Sequence, residues 1–410
     1  MDQARGDQTN AAEWARRAQT AADSVNEGFG HRLLGFVPGT WIGSIVRPRR
    51  VTLPWDPWHY WWQAHYLDCL VDASWRKLGG PAPQGGGPAR RGQDPATQGQ
   101  DPATGAGPSE LREPREPREL RLARALLRTI RIRNFLQYRN AFYDDMAWLA
   151  LAAGRAEFLT QRVDERGIRS ARNAARVLGA QLVSANTDDL EGGLFWNMKR
   201  DFKNTPATAP AALHFARTGD RERAQRLVDW LNARLLDPEQ GLYLDGLRMS
   251  RDGSTTLVKD VWTYNQGPVL GALLELGGGA NIGRAADLVE AVDRRLTLPL
   301  GDTRVLQANG DGDGGLFMGI LARYLTVAAV SSGLSAEARS TARRLVIDTA
   351  QAVWAGAEER TDGQGRTGRT FPMHPGRPAS DAYPEGRGVE LSTQLQAWML
   401  LEFAHQLTRG

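Results

Sequence analysis

The sequence predicts an all-α protein, and more specifically an (α/α)6 barrel, a toroid of six helical hairpins. Apolar residues recur at every third or fourth position through most of the 410 residues, which is the spacing that one face of an α-helix requires. Long runs in which Val, Ile and Thr alternate with polar residues, which would predict strands, are missing. A helical solenoid is the structural alternative, but the sequence shows no repeat with a period of roughly 30–45 residues.

The predicted helices number twelve and follow one another in six consecutive pairs. Several connections between them contain residues that stop helices, such as Asp237-Pro238, the glycines at 277–279 and Pro299. In such a toroid the inner helices and the loops at one end surround a central cleft, where we expect the functional residues. The predicted helices span residues 10–28, 56–78, 119–135, 143–156, 166–185, 205–217, 220–236, 259–276, 282–297, 313–330, 335–355 and 389–407.

One segment, residues 79–118, interrupts the helical pattern. It contains almost no large apolar residue, and GQDPAT occurs in it twice, at 92–97 and at 99–104. Such a stretch cannot offset the entropy of its own ordering by burying apolar surface. We therefore expect a single catalytic domain over residues 1–410, with 79–118 as a disordered low-complexity insertion within it.

The composition is that of a globular protein with a sizeable core, since 41% of the residues are hydrophobic and 24% are charged. The net charge is +4, but most arginines are dispersed among Asp and Glu, so we expect no nucleic-acid partner. Cys69 is the only cysteine, which excludes an intrachain disulfide and a cysteine-based metal site. We expect neither a metal nor another cofactor.

The cellular location is also predicted from features that the sequence lacks. No window approaches the ~18 uninterrupted apolar residues of a membrane span, so no stable membrane insertion is expected. Residues 1–26 do not follow the basic-then-apolar order of a secretory signal peptide. The expected location is the cytoplasm.

The most informative motif is a pair of adjacent carboxylates, Asp144 and Asp145, at the start of an apolar helix. Neighbouring residues on a helix point about 100° apart, so the two carboxyl groups can lie roughly 5–6 Å from each other. A retaining glycosidase needs about 5–5.5 Å between its nucleophile and its acid/base. The charge on one carboxylate also raises the pKa of the other, which gives a nucleophile and an acid at the same pH. The alternative is an ordinary first turn of a helix, where Asp is common.

Four further motifs combine aromatic side chains with polar ones. They lie at residues 58–66, which include Trp62 and Gln63; at 192–196, followed by Lys203-Asn204; at 261–267; and at 310–317. Aromatic rings stack on sugars, but they also fill cores, so core packing or a glycine turn is the alternative at each place. Asp313 is either the N-cap of the next helix or a carboxylate of the pocket. The glycine-rich stretch around it lacks both the preceding strand of a dinucleotide site and the later Glu of an EF-hand.

Taken together, five motifs resemble those of glycoside hydrolase family 76, the endo-α-1,6-mannanases. They are FYDDMAW at 142–148, GGLFW at 192–196, KN at 203–204, WTYNQG at 262–267 and GDGGLFMGILARY at 312–324. Their order and spacing extend the resemblance over residues 55–407.

The resemblance implies an (α/α)6 barrel that hydrolyses α-1,6-mannosidic linkages with retention, in mannan or in mannosylated glycoconjugates. It implies Asp144 as the nucleophile, Asp145 as the acid/base and an α-mannan oligosaccharide or polysaccharide as the partner. The implied substrate-binding residues are Trp62, Gln63, Tyr143, Trp148, Trp196, Lys203, Asn204, Trp262, Tyr264, Asn265, Gln266 and Asp313.

Three other functions compete with this interpretation. A transglycosylase of the same fold would keep both aspartates and pass the mannosyl group to a sugar alcohol instead of water. A non-catalytic mannan-binding protein would have no need of both aspartates, and the chain has both. Another toroid enzyme, such as a sugar epimerase or an unsaturated-uronyl hydrolase, would need a catalytic histidine or a differently placed acid, and all six histidines fall outside the five motifs.

Overall fold

The computed structural model describes residues 2–48, 57–79, 116–163, 167–361, 365 and 367–409, with side chains from Asn10 onward. Thirteen α-helices lie within these ranges, so the prediction of a mostly helical protein is confirmed. The helices are α1 (Asp2–Gly28), α2 (Tyr60–Leu78), α3 (Arg118–Arg133), α4 (Tyr143–Val163), α5 (Arg169–Ala185), α6 (Thr205–Thr218), α7 (Arg221–Arg234), α8 (Thr263–Leu276), α9 (Gly279–Arg295), α10 (Gly314–Ala329), α11 (Ala336–Ala355), α12 (Ala379–Ala382) and α13 (Leu391–Thr408).

Six of these helices form a closed ring. Helices α2, α4, α6, α8 and α10 contact one another in chain order, and α13 closes the ring between α10 and α2. Each ring helix packs against one outer helix next to it, with α3, α5, α7, α9 and α11 following their partners and α1 packing on α13. Ring helices such as α10 and α13 are buried on nearly every face, which explains why their sequences are apolar all round.

Thirteen strands of two to four residues lie in the connections, and the sequence analysis did not predict them. All are paired antiparallel, and the largest sheet has the order β4-β7-β8. Strands this short cannot show a clear alternation of apolar and polar residues. They are β1 (Gly30–His31), β2 (Ile42–Gly43), β3 (Val46–Arg47), β4 (Phe202–Asn204), β5 (Leu236–Asp237), β6 (Leu242–Tyr243), β7 (Gly246–Met249), β8 (Thr255–Val258), β9 (Thr297–Leu300), β10 (Thr303–Leu306), β11 (Glu358–Thr361), β12 (Thr367–Thr370) and β13 (Val389–Glu390).

The interior of the ring contains a buried network of charged side chains. Arg155 of α4 contacts both Asp68 and Asp72 of α2, and its Nη1 lies 2.6 Å from Asp68 Oδ1. Arg323 of α10 reaches the same pair, with its Nη2 2.9 Å from Asp72 Oδ2. All four side chains are at most 10% exposed. The network therefore ties three ring helices together across the axis of the ring.

The predicted insertion lies almost entirely outside the described residues, which omit 80–115. Helix α2 ends at Leu78 and α3 begins at Arg118, so the helices on either side follow the predicted boundaries. Among the described helices, none has the length and apolar character needed to cross a bilayer.

Candidate active site

A pocket of about 530 Å³ opens at one end of the ring. Its walls come from the first turns of ring helices α2, α4, α8 and α10 and from the two strands β4 and β7, which precede α6 and α8. The amino-terminal ends of five of the six ring helices, α2, α4, α6, α8 and α10, therefore meet at this pocket. The lining residues are His59, Tyr60, Trp61, Phe142, Asp144, Asp145, Trp148, Trp196, Phe202, Asn204, Asp245, Arg248, Trp262, Tyr264, Asp313 and Phe317.

The start of α4 holds the two adjacent aspartates, and local hydrogen bonds fix its position. Asn140 forms a turn by accepting a bond from the Phe142 amide at 2.9 Å, and its Nδ2 donates to Asp145 Oδ2 at 2.6 Å. The Tyr143 amide donates to the Trp196 carbonyl oxygen at 2.7 Å. The first turn of α4 is thus joined to the loop that carries Trp196.

That loop is shaped by Gly192 and Gly193, which both have positive φ values, of 129° and 72°. A side chain at Gly193 would also collide with Trp230, since its Cβ would lie 2.7 Å from the indole ring. Glycine is required here for both reasons. The tight turn directs the chain so that Trp196 reaches Asp144.

The two carboxylates have different hydrogen-bond partners. Asp144 accepts two bonds at 2.9 Å, one from the Asp145 amide to Oδ1 and one from Trp196 Nε1 to Oδ2. Among the described contacts, Asp145 accepts one bond, from Asn140. Burial raises the pKa of both carboxyl groups, and the charge of Asp144 raises the pKa of Asp145 further. The two donors at Asp144 oppose the effect of burial, so Asp144 ionises first and Asp145 holds a proton to higher pH.

Asp313 is a third carboxylate of the pocket. Its Oδ1 accepts bonds from Trp61 Nε1 at 3.1 Å and from Trp62 Nε1 at 2.9 Å. It occupies the N-cap position of α10, yet its side chain makes no capping bond. Of the two roles that the sequence left open, the pocket carboxylate is the one observed.

Asp245, just before β7, is a fourth carboxylate, and the sequence analysis missed it. Asn265 Nδ2 donates to its Oδ1 at 3.3 Å, and burial raises the pKa of Asp245 to about 6. Arg248, also of the pocket, lies with its guanidinium carbon 4.4 Å from the centre of the Phe202 ring. Neither residue belongs to a recognisable motif, because β7 is only four residues long and is separated in the sequence by α6 and α7 from β4, the strand that it pairs with.

One wall of the pocket is aromatic. The rings of Tyr264 and Phe317 stack at 3.9 Å with 15° between their planes. Trp262 and Trp61 approach Phe317 at 5.9 Å and 6.3 Å, and Trp148 approaches Tyr264 at 6.4 Å. Flat rings beside several carboxylates provide apolar faces and hydrogen-bond acceptors together, as the recognition of a sugar ring requires.

Eight of the predicted site residues line this pocket. They are Asp144, Asp145, Trp148, Trp196, Asn204, Trp262, Tyr264 and Asp313. Trp62 lies behind the pocket wall, where it donates to Asp313 and stacks on His59 with 4.4 Å between ring centres. Tyr143 is buried among core residues, and Asn265 supports Asp245 from behind.

Gln63 and Gln266, which were predicted as sugar ligands, are not among the residues that line the pocket, and their side chains bond to peptide groups. Gln63 exchanges two bonds of 3.0 Å with the peptide of Gly43, through its Oε1 and its Nε2. Gln266 does the same with the peptide of Tyr243, at 2.8 Å and 2.9 Å. Both side chains are fully buried, and each holds a short strand against a ring helix.

Lys203 was likewise predicted as a ligand, and in the structure its side chain bonds to the backbone of a neighbouring loop. Its ammonium group donates to the carbonyl oxygens of Thr187, Asp189 and Gly192 at 2.6–2.8 Å. The side chain is fully buried, so the charge is satisfied by the loop that it organises. This loop is the one that positions Trp196.

Comparisons with known proteins agree with this geometry. A family model described as glycosyl hydrolase family 76 matches residues 133–375. The α-1,6-mannanase GH76A from Salegentibacter sp. HEL1_6 is 26% identical and superposes with a TM-score of 0.72, over 96% of this chain and 99% of that one. No curated protein sequence matches the chain.

Two further solved structures are similar. One is an inactive variant of the same mannanase, in which two consecutive aspartates are replaced by asparagine, in complex with α-1,6-mannotriose. It is 26% identical and superposes with a TM-score of 0.71, over 96% of this chain and 99% of that one. Dfg5 from Chaetomium thermophilum, in complex with glucosamine, is 16% identical, with a TM-score of 0.62 and coverage of 97% and 90%. At that identity, the likeness to Dfg5 concerns the fold alone.

Proposed function

This chain belongs to glycoside hydrolase family 76, and from that premise we propose that it cleaves α-1,6-mannosidic linkages with retention of configuration. The observation that carries the proposal is the difference between Asp144 and Asp145. Asp144 accepts two of the described hydrogen bonds, and Asp145 accepts one. The neighbouring mannanase and its mannotriose complex support the linkage. The closed ring of helices supports an (α/α)6 barrel as the scaffold.

In the proposed reaction, Asp144 is the nucleophile. Its two donors favour its ionised form, and the carboxylate attacks the anomeric carbon and forms a mannosyl ester as the glycosidic bond breaks. Asp145 gives its proton to the departing oxygen in this step. In the second step Asp145, now ionised, takes a proton from a water molecule that attacks the same carbon and releases Asp144.

The remaining pocket residues fit the binding of mannose. Asp313 and Asp245 offer carboxylate oxygens to sugar hydroxyls, and the stacked pair Tyr264 and Phe317 offers a flat apolar surface. Asp313 is held in place by the two indole donors, which preserves its orientation when no sugar is bound.

The direct test is incubation of the purified protein with linear α-1,6-mannan. We expect short α-1,6-linked mannooligosaccharides on chromatography, and the first product seen by proton NMR should have the α configuration. The Asp144→Asn, Asp145→Asn double variant is the matched control. A β product would contradict retention, and binding without cleavage would indicate a non-catalytic protein. Incorporation of an added sugar alcohol in preference to water would indicate a transglycosylase.

Trp196→Phe should move the acidic limb of the pH profile of kcat/KM to higher pH. The indole donor lowers the pKa of Asp144, so its loss raises that pKa, and Asp144 must be ionised to attack. A hydrogen bond to a charged group is worth about 1.5–3 kcal/mol, which corresponds to a displacement of about one to two pH units.

The matched control is Trp262→Phe, because Trp262 lines the same pocket without an indole bond to either aspartate among the described contacts. It should change KM and leave the acidic limb in place. An unchanged acidic limb in Trp196→Phe would show that Asp144 is not the group that must ionise.

A further inference from the structure

Two neighbouring loops expose large apolar side chains to solvent. Leu34 and Phe36, from the turn after β1, are 59% and 69% exposed, and Ile132, Phe135 and Leu136, from the end of α3, are 40%, 86% and 66% exposed. These five residues, here called the apolar patch, include the two most exposed of the large apolar side chains described. A contiguous group of this kind marks a surface that contacts something other than water.

The backbone holds these side chains outward in an uncommon conformation. Leu34, Phe135 and Leu136 have φ values of 51°, 54° and 61°. The left-handed region is unfavourable for bulky residues, and such outliers occur where function requires them. If these side chains were buried, packing contacts could hold the backbone in its strained conformation. All three are exposed, so packing does not explain the strain.

A groove of about 410 Å³ runs beside the patch. Leu34, Ile132 and Phe135 of the patch line it together with Val37 and Trp58. The two loops therefore form one continuous apolar surface with a depression in it.

The chain around the patch is basic throughout. Residues 28–45 contain one arginine and residues 120–143 contain six, seven in all, and neither segment contains an aspartate or glutamate. Arg32, Arg131 and Arg139 are exposed. Arg131 Nε donates to the Leu136 carbonyl oxygen at 2.9 Å and Arg139 to the amide oxygen of Gln137 at 3.3 Å. Neither arginine forms an ion pair within the described residues, so both charges remain available.

We propose that the apolar patch and its arginines dock the protein on the surface of an anionic phospholipid bilayer. Exposed aromatic and aliphatic side chains enter the boundary between head groups and acyl chains, while arginines pair with the phosphates. A second copy of the chain fits this surface less well, because a symmetric dimer would place arginines against arginines. The inference goes beyond the proposed glycosidase activity and does not depend on it.

Docking in this way would bring the catalytic pocket next to the lipid surface. Trp58 lines the groove, and the residues that follow it, His59 to Trp61, line the pocket. The loop from Phe135 likewise ends at Phe142, which lines the pocket. The docked enzyme would therefore meet sugars that are anchored to, or lie against, the bilayer.

The test is flotation of the purified full-length chain with vesicles of phosphatidylcholine containing roughly 30 mol% phosphatidylglycerol, in the absence of any sugar. We expect binding at 0.1 M salt that weakens at 0.5 M, because higher ionic strength shortens the screening length. Phe135→Ser with Leu136→Ser should reduce the partition coefficient by more than about tenfold. Arg131→Gln with Arg139→Gln should reduce it by roughly tenfold and weaken the salt dependence.

Val183→Ser with Val330→Ser is the matched control, since both valines are exposed to about the same degree as Ile132 but lie outside the patch. It should bind as the unaltered protein does, and each variant should keep its melting temperature. Equal binding by all variants would overturn the proposal, as would failure of the unaltered protein to float. Loss of a dimer in the patch variants, without any flotation, would assign the patch to a second copy instead.

Discussion

Asp144→Asn and Asp145→Asn should each lower kcat on α-1,6-mannan by several orders of magnitude while sugar affinity changes little. General acid catalysis alone is worth ~10²–10⁴-fold, and loss of a nucleophile costs more. Both side chains lie in the first turn of α4, where an amide preserves the shape of the carboxyl group. Initial rates with reducing-sugar detection would measure the effect. Asp287→Asn, an exposed change on α9, is the control and should leave kcat unaltered.

Asp144→Ala and Asp145→Ala should differ in their activity toward an activated aryl α-mannoside. Protonation of the leaving group matters little when that group is already acidic, so Asp145→Ala should still form the mannosyl-enzyme. Azide should then speed its breakdown and give an α-mannosyl azide. Asp144→Ala should be inactive on the same substrate unless azide replaces the lost carboxylate. Activity of Asp144→Ala without azide would show that the two roles are exchanged.

Asp145→Asn should keep or gain stability at alkaline pH. The pKa of Asp145 is raised in the folded protein, so the folded state is favoured below the unfolded pKa and loses that advantage as the pH rises. Asparagine does not titrate, and Asp145→Asn should therefore melt at or above the temperature of the unaltered protein at pH 8. The difference should vanish near pH 4. A lower melting temperature at pH 8 would show that Asp145 stabilises the fold as an anion.

The largest effect on stability is expected from Arg155→Met. Arg155 contacts both Asp68 and Asp72 inside the ring, so its loss leaves two buried carboxylates with only Arg323 between them. Breaking a buried ion pair by removing one partner costs about 3–5 kcal/mol. Chemical denaturation followed by circular dichroism would measure the loss.

Two variants make this experiment specific. Arg226→Met removes an exposed pair with Glu222 on α7 and should change stability by less than about 0.5 kcal/mol. Adding Asp72→Asn to Arg155→Met should recover part of the loss, because one uncompensated charge disappears. Equal stability of Arg155→Met and Arg226→Met would show that the network contributes nothing to the fold.

Seven of the eight predicted residues that line the pocket lie at or near the start of a ring helix, and Trp196, in the loop after α5, is the exception. Asp144, Trp262 and Asp313 each stand where a long apolar pattern begins, so the periodicity that locates the helix also locates the residue. Asp245 precedes a short strand and Arg248 lies within it, in the long connection between α7 and α8, and nothing local distinguishes them from loop residues. Their place in the pocket follows from the pairing of β4 with β7, which is a tertiary property.

Gln63 and Gln266 show why ligands could not be told from structural groups. A polar side chain in an apolar helix needs a partner, and a sugar or a peptide group satisfies that need equally. In both cases the partner is a strand of two residues, too short to be predicted. Twelve of the thirteen helices were predicted from their apolar periodicity, whereas α12, with four residues, is too short to show one. The contact of α13 with α2 that closes the ring was inferred only from the family resemblance and the hairpin count.

The closing contact between α13 and α2 has a consequence for synthesis on the ribosome. Tyr66 of α2 packs against Trp398 of α13, with 6.2 Å between ring centres. The chain leaves the ribosome from its amino terminus at ~5–20 residues per second, and α13 begins more than three hundred residues after α2 ends. The nascent protein therefore presents this flank of α2 uncovered for roughly 15–60 s, until α13, the last helix to emerge, covers the first helix of the ring.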